Sequence, residues 1–259
     1  MADYLVSGSV VVYNKPEDAR LTVKSIVENT DDGFRLFVID NASADRIGPS
    51  IRSELGDVGG KVEYIDLDEN IGFGKGHNQV LGKTGSKYHF VINPDILINR
   101  DTISNMCAFM DSHPEVAIAC PKVLNPDGSL QYIAKRRPGF LSLISRRMPG
   151  NLLKGIEDRY LMKEMDQDSE FPVEFCTGCF FVIRSEIFEK MGGFDRDYFL
   201  YFEDRDITMK AKQYGEAYYV PSATVIHFWH RETANNSRRF MQQVKSMMIY
   251  FRKWGFRLF

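Results

Sequence analysis

A chain of 259 residues, 44% apolar and 26% charged, can bury a full core, which excludes a disordered segment and fits one large α/β domain with an appendage. The formal net charge of −2 supplies no global field for nucleic acid, and no apolar run approaches the roughly 20 residues that a membrane-spanning helix needs. Four cysteines (Cys107, Cys120, Cys176, Cys179) lie in apolar or glycine-containing surroundings and no secretory leader opens the chain, so a cytoplasmic setting is expected.

The first strand is read at Ser7 to Tyr13, β-branched and apolar in its second half, as a strand covered on both faces should be. Asn14-Lys15-Pro16-Glu17-Asp18 then supplies a cap, an early proline and first-turn acids for a helix through about Glu28. Leu36 to Asp40 is a second strand ending in a carboxylate. Asn41 to Asp45 forms a polar turn before a short helix, and Val62 to Leu67 is a third strand. This β-α-β-α-β rhythm predicts a parallel sheet with right-handed crossovers.

Glu69 to Asn78 carries glycines at alternate positions (Gly72, Gly74, Gly76) without the signature of a phosphate-binding loop or the spacing of a dinucleotide fingerprint. These glycines are expected to let backbone approach a ligand, or to turn tightly into a helix around Asn78 to Leu81. The apolar run Tyr88 to Asn93 then stops at Pro94-Asp95. A carboxylate just past the C-terminal end of a buried strand lies where open α/β sheets bind ligands, although Asn-Pro-Asp is equally ordinary turn chemistry.

A helix from about Asp101 to Ser112 leads to a buried strand at Val116 to Cys120. Pro121 to Pro172 loses clear alternation, with turn signals at Asn125 to Gly128, Lys135 to Gly139 and Met148-Pro149-Gly150. It reads as a functional loop, a partner-binding segment or a solvated excursion. Phe175 to Arg184 is strand-like but broken by Cys176-Thr177-Gly178-Cys179. Without a second cysteine pair or histidine ligands, that break is read as small residues at a crowded pocket wall rather than a zinc site.

After a short helix at Ser185 to Met191, the aromatic stretch Tyr198 to Phe202 runs into Glu203, Asp204 and Asp206 at the head of a helix through Ala211. Asp206 is read as a helix N-cap, and Glu203-Asp204 as a pocket floor where a carboxylate could act as a general base. Ala217 to Val220 and Ala223 to Ile226 close the sheet as two strands. His227 follows directly, a ligand candidate or a structural histidine.

From Arg231 onward there are seven basic residues against one acid, a net of +6. Phe240, Val244, Met247, Phe251 and Trp254 recur at 4-3-4-3 spacing and predict an amphipathic helix with a cationic remainder. Three uses are open to it: packing back on the domain, forming a homodimer seam, or lying peripherally on an anionic membrane surface.

Five motifs in this order resemble those of the family 2 glycosyltransferases with the GT-A fold, most closely bacterial rhamnosyltransferases of O-antigen and cell-surface polysaccharide synthesis. They are Val10 to Asn14 with Val38 to Asp45, Glu69 to Gly74, Asn93-Pro94-Asp95, Gly192 to Asp195, and Phe202 to Asp206. The resemblance implies an α/β, Rossmann-like and mostly parallel central sheet flanked by helices. Residues 1–230 would be the transferase domain, with 1–120 binding nucleotide-sugar and 121–230 the acceptor, and residues 231–259 a basic amphipathic C-terminal helix.

By the same resemblance Tyr13, Asn14, Asp40, Asn41, Gly72, Asn78, Asn93 and Asp95 would bind the nucleotide-sugar, with Asp40 hydrogen-bonding the base. Asp95 and His227 would hold Mg²⁺ or Mn²⁺, Thr177 and Gly178 would line the acceptor side, and Asp204 would be the catalytic base with Glu203 next in line. Asn93 replaces the first acid of the Asp-x-Asp motif; it keeps an acceptor but loses a charge, which weakens the expected metal affinity. The implied activity is inverting transfer of L-rhamnose from dTDP-L-rhamnose to a lipid-diphosphate-linked saccharide at the cytoplasmic face of the inner membrane. A UDP-hexose donor, or a non-catalytic nucleotide-sugar-binding partner, are the alternatives.

Overall fold

The computed structural model describes residues 5–55, 60–145, 153–228 and 237–258; Arg231 and Glu232 of the basic tail, the boundary at residues 230 and 231, and the Met148-Pro149-Gly150 turn lie outside them. In chain order the first half comprises β1 (Val6–Val12), α1 (Pro16–Asn29), β2 (Phe34–Asp40), α2 (Ile47–Leu55), β3 (Val62–Asp66), α3 (Phe73–His77), β4 (Tyr88–Ile92), β5 (Ile96–Ile98) and α4 (Thr102–Ser112). There follow β6 (Val116–Leu124), β7 (Leu130–Gln131), β8 (Ala134–Lys135), α5 (Phe140–Ser145), α6 (Lys154–Tyr160), β9 (Phe171–Pro172) and β10 (Phe175–Cys176). The last elements are β11 (Phe180–Arg184), α7 (Ser185–Lys190), α8 (Glu203–Ala211), β12 (Glu216–His227) and α9 (Ser237–Trp254).

β1 and β4 are buried at every position, which explains their unbroken apolar character. β1 pairs in parallel with β2 on one side and β4 on the other, and β3 pairs in parallel with β2. Strand order therefore reverses at β1, and the crevice outside the carboxyl ends of β1, β2 and β4 is where such sheets take ligands. Val12 lies opposite Asp40 and Val10 opposite Ile92, so Asn14, Asn41 and Asn93 all emerge at this one edge.

The parallel prediction holds for this half, while the second half is mixed. β11 lies antiparallel between β4 and β6, β12 runs parallel to β6, and β5 closes the edge antiparallel to β12. The expected pair of closing strands is one long strand, bent where its register shifts between Val220 and Thr224. Pro221 accounts for that bend, since proline cannot donate to a ladder and is tolerated at bulges. The stretch Pro121 to Pro172 is not an irregular excursion: it finishes β6 and then supplies β7, β8, α5, α6 and β9.

The predicted helix at Asn78 to Leu81 is displaced. The glycine run itself is helical from Phe73 to His77, with a short 3₁₀ turn over Asn78–Val80. A Cβ on Gly74 would sit 2.7 Å from that of Phe194, and one on Gly76 2.8 Å from Val11, so these glycines permit close packing of the helix on the domain.

α9 docks on the domain, burying Tyr250 against Phe202 and Tyr198. Its fully buried positions are Ser246 and Tyr250; Met247, Phe251 and Trp254 of the predicted stripe pack against the same cluster, and Phe240 at its start stays exposed. Asp206 is not an N-cap. The residue preceding the helix is Phe202, and the fully buried Asp206 carboxylate instead receives Lys253 Nζ at 2.8 Å and Trp254 Nε1 at 2.7 Å from α9. Among the described residues no helix is long and apolar enough to cross a membrane.

Candidate active site

The polar residues at the ends of β1 and β2 fasten two loops to each other. Asn14, at φ +53°, donates its backbone N–H to Ser43 Oγ and accepts Ala44 N–H at 2.8 Å on Oδ1. Asn41 accepts from Ile71 N at 3.0 Å and donates to Asn70 Oδ1 at 2.9 Å and to the Gly72 carbonyl at 3.3 Å. Asp40 is 1% exposed, and its two oxygens accept from Ser43 N at 2.7 Å and Ile47 N at 3.0 Å. In this arrangement its carboxylate shapes the turn into α2, while the half-exposed Tyr13 ring stands at the rim.

Gly72, at φ +91°, meets the loop before α8: a Cβ there would lie 2.2 Å from the Phe199 carbonyl oxygen, which instead accepts Phe73 N–H at 3.0 Å. Asn78 grips the backbone of Phe194 from both sides, donating to its carbonyl and accepting its N–H, each at 2.8 Å. Gly72 and Asn78 thus tie the glycine-bearing loop to the segment that carries Glu203 and Asp204.

The β5–β12 register places Ile96 opposite His227, which brings the imidazole to Asp95. His227 Nε2 lies 3.3 Å from Asp95 Oδ1, with side-chain exposures of only 7% and 15%. Gln131 fixes the tautomer. Its Nε2 donates to the His227 carbonyl at 2.9 Å and to Asn125 Oδ1 at 2.7 Å, which turns its Oε1 to His227 Nδ1 at 2.9 Å. Nδ1 therefore carries a proton, and Nε2 is the ring nitrogen turned to the carboxylate.

An imidazole and a carboxylate converging on one point fit a divalent cation whose other ligands are diphosphate oxygens and water. Among the described residues no group of three or more His, Cys, Asp or Glu side chains converges, so of those side-chain types the described residues would supply this pair. Asn93 stands at the same edge, its backbone N–H held by the Cys179 carbonyl at 2.8 Å.

Glu203 and Asp204 begin α8 after two residues, Tyr201 and Phe202, held in the left-handed region at φ +69° and +66°. Bulky residues rarely adopt it, and each costs about 1–3 kcal/mol that surrounding packing must offset. Asp204 Oδ2 accepts Gly178 N–H at 3.2 Å, and its Oδ1 accepts Arg205 N at 2.9 Å and pairs with Arg205 Nη1 at 3.2 Å. The Arg205 guanidinium is sandwiched between the Phe175 ring at 4.6 Å and the Phe202 ring at 4.5 Å, which immobilises the carboxylate's partner.

Gly178 has to be glycine, since a Cβ would lie 2.9 Å from that of Asp204. Thr177 Oγ1 donates to the Ile133 carbonyl at 2.8 Å and accepts from Lys135 Nζ at 3.2 Å, so the 176–179 turn is a rigid wall, as its small residues suggest. This turn joins the two centres, with Cys179 holding Asn93 and Gly178 holding Asp204. Burial, then the neighbouring Asp204 charge, pushes the Glu203 carboxyl up to about 8. An acid protonated at neutral pH cannot accept a proton, which leaves Asp204 for that task.

Two contributors escape sequence reasoning. Gln131 sits in the stretch read as irregular, and nothing in its spacing points to His227. Arg205 sits between the acids, where a cation was visible but its aromatic sandwich was not.

Over 241 residues the chain is 24% identical to the rhamnosyltransferase WbbL of Escherichia coli K12, covering 88% of this chain and 87% of that protein. It is 26% identical over 183 residues to the N-acetylglucosaminyl-diphospho-decaprenol L-rhamnosyltransferase of Mycobacterium tuberculosis, covering 64% of this chain and 58% of that one. Among solved structures, GalNAc-T7 with UDP, GalNAc and Mn²⁺ superposes with a TM-score of 0.72 at 15% identity, over 96% of this chain and 48% of that one. The Pyrobaculum calidifontis mannosyltransferase PcManGT with GDP-Man and Mn²⁺ gives 0.67 at 18% identity, over 97% of this chain and 65% of that one. The fold is that of the GT-A glycosyltransferases. The family model "Glycosyl transferase family 2" matches residues 9–192, and the chain belongs to that family.

Proposed function

We propose that the protein is an inverting rhamnosyltransferase that moves L-rhamnose from dTDP-L-rhamnose to a lipid-diphosphate-linked saccharide. The observation that carries the reading is Asp204, a carboxylate held by the Gly178 amide and the Arg205 guanidinium, on the turn whose Cys179 carbonyl also holds Asn93, two residues before Asp95. The sugar and acceptor classes rest on the names of the two rhamnosyltransferase relatives.

On this reading residues 1–120 hold the donor at the carboxyl ends of β1, β2 and β4, and residues 121–230 hold the acceptor. Asp95 and His227 bind the divalent cation, Mn²⁺ in preference to Mg²⁺ because one ligand is an imidazole. That cation, when bound, neutralises charge developing on the departing diphosphate. Asp204 takes the proton of the acceptor hydroxyl as its oxygen attacks the anomeric carbon from the face opposite the leaving group, so the configuration inverts. Gly178 and Arg205 aim the carboxylate, and Glu203 stays neutral beside it.

α9 exposes Phe240, Met241 and Met248 among Arg238, Arg239 and Lys245, a composition suited to a peripheral seat on an anionic, cytoplasmic membrane surface. The test is a panel of nucleotide-sugars assayed for nucleoside diphosphate release with a lipid-linked acceptor. Preference for dTDP-L-rhamnose is expected; preference for a UDP-hexose would overturn the donor assignment, and no release with any donor would overturn the activity. Protein that fails to sediment with anionic liposomes would remove the membrane seat.

A further inference from the structure

One feature outside the site above is a pocket of about 380 Å³ between α5, α6 and the chain after α9, lined by Arg136, Arg137, Arg159 and Arg257 with a single carboxylate, Glu174. Glu174 is engaged by the Arg137 backbone N–H at 2.6 Å. Arg136 is paired with Glu164, whose carboxylate also feels Arg159. Arg137 reaches the Trp254 carbonyl through Nη2, and its buried Nε has no hydrogen-bond partner. Arg159 and Arg257 are exposed and form no ion pair among the described residues. Four guanidinium groups therefore face two carboxylates, and the surplus positive charge is carried by groups whose planar forks match phosphate oxygens.

The pocket's position gives that charge a use. Its wall includes the buried Tyr160, whose hydroxyl accepts from Arg205 Nη2 at 3.4 Å, and Arg205 Nη1 is 3.2 Å from Asp204. The cationic pocket and the carboxylate assigned as base are thus separated by Tyr160 and Arg205. On the outer side, Arg257 lies between Phe256 and Leu258, which are 65% and 47% exposed. An arginine-lined pocket with the proposed base on one side and exposed apolar side chains on the other matches a ligand that joins sugar, diphosphate and lipid in that order.

We infer that this pocket binds the diphosphate of a lipid-linked acceptor, with the lipid leaving over Phe256 and Leu258 and the sugar directed to the side of the pocket on which Asp204 lies. The inference rests on the transferase reading above and names the part of the acceptor that is recognised.

The test uses the double variant Arg159→Gln/Arg257→Gln in the full chain, both positions being exposed. Calorimetry of metal-free protein with farnesyl diphosphate is expected to show binding that weakens at least about tenfold in the variant, the equivalent of one charge-assisted hydrogen bond. Farnesol should bind neither protein measurably better than the other. In transfer assays the KM for a prenyl-diphosphate-linked sugar should rise by a similar factor, while the KM for the same sugar on a phosphate-free alkyl chain and the KM for donor stay unchanged.

Equal affinity of both proteins for farnesyl diphosphate would overturn the inference, as would an equal loss with both acceptors. Arginine-dependent binding of phosphatidylglycerol vesicles without binding of farnesyl diphosphate would also overturn it, in favour of a membrane headgroup. Arginine-dependent binding of farnesyl diphosphate with no transfer to any acceptor would leave the pocket standing and refute the transferase reading. Transfer that is indifferent to the two arginines would do the reverse.

Discussion

Replacing Asp206 by asparagine tests how α9 is tied to the helix that bears Asp204, the proposed base. The Asp206 side chain is fully buried and receives Lys253 Nζ at 2.8 and 3.0 Å and Trp254 Nε1 at 2.7 Å, with Tyr198 Oη at 3.5 Å. Asparagine keeps one acceptor for the indole but turns an amide toward a cation that is two-thirds buried. Removing one member of a buried pair costs about 3–5 kcal/mol, and the second carboxylate on Lys253, Asp195 at 2.5 Å, offsets part of it, so about 3 kcal/mol is expected.

The loss should extend to catalysis. Ser246 of α9 donates to the Leu200 carbonyl at 2.8 Å and Tyr250 packs on Phe202 at 5.6 Å, so α9 supports the strained pair Tyr201-Phe202 immediately before Glu203 and Asp204. Urea unfolding should show the stability drop, and turnover should fall while donor affinity is kept. A change below about 1 kcal/mol, the usual worth of an exposed ion pair, would refute the argument.

Gln131→Leu removes the group that fixes the His227 tautomer and should weaken Mn²⁺ binding about 10- to 100-fold, read by metal titration of the protein without substrate; unchanged affinity would mean that His227 is not a ligand. Stability should peak near pH 6.5. Burial holds His89 down at about 3 and His77 well below its ordinary 6.5, so beneath pH 6.5 the unfolded chain takes up two protons that the fold refuses, while Glu203, raised to about 8, keeps one that the unfolded chain releases. The net is stability lost as pH falls below 6.5, and between 6.5 and 8 stability lost as pH rises, each at about 1.4 kcal/mol per unit. Glu203→Gln should abolish the upper limb; a limb that persists would place its origin elsewhere.

The parts of this structure legible in the sequence are those set by local pattern. The fully buried strands β1 and β4, the carboxylates at strand ends, and the aromatic run entering Glu203-Asp204 are all visible as residue types in order. What was hidden depends on register and tertiary partners. Asp95 and His227 meet only because the three-residue strand β5, too short to show alternation, pairs antiparallel with β12. Asp206 looked like a cap because its position at a helix start satisfies that rule, and its true partners lie 47 and 48 residues away. The glycines of residues 72–76 suggest backbone approaching a ligand, whereas what comes close to them in the fold is Phe199, Phe194 and Val11.

The central claim is that Asp204 is the base, and single-turnover kinetics of Asp204→Asn tests it most directly. Asparagine preserves the shape and an acceptor for the Gly178 amide but cannot take a proton. The account predicts that the transfer rate falls by about 10²- to 10⁴-fold with donor dissociation constant and Mn²⁺ affinity unchanged. Turnover near that of the unmodified protein would contradict it.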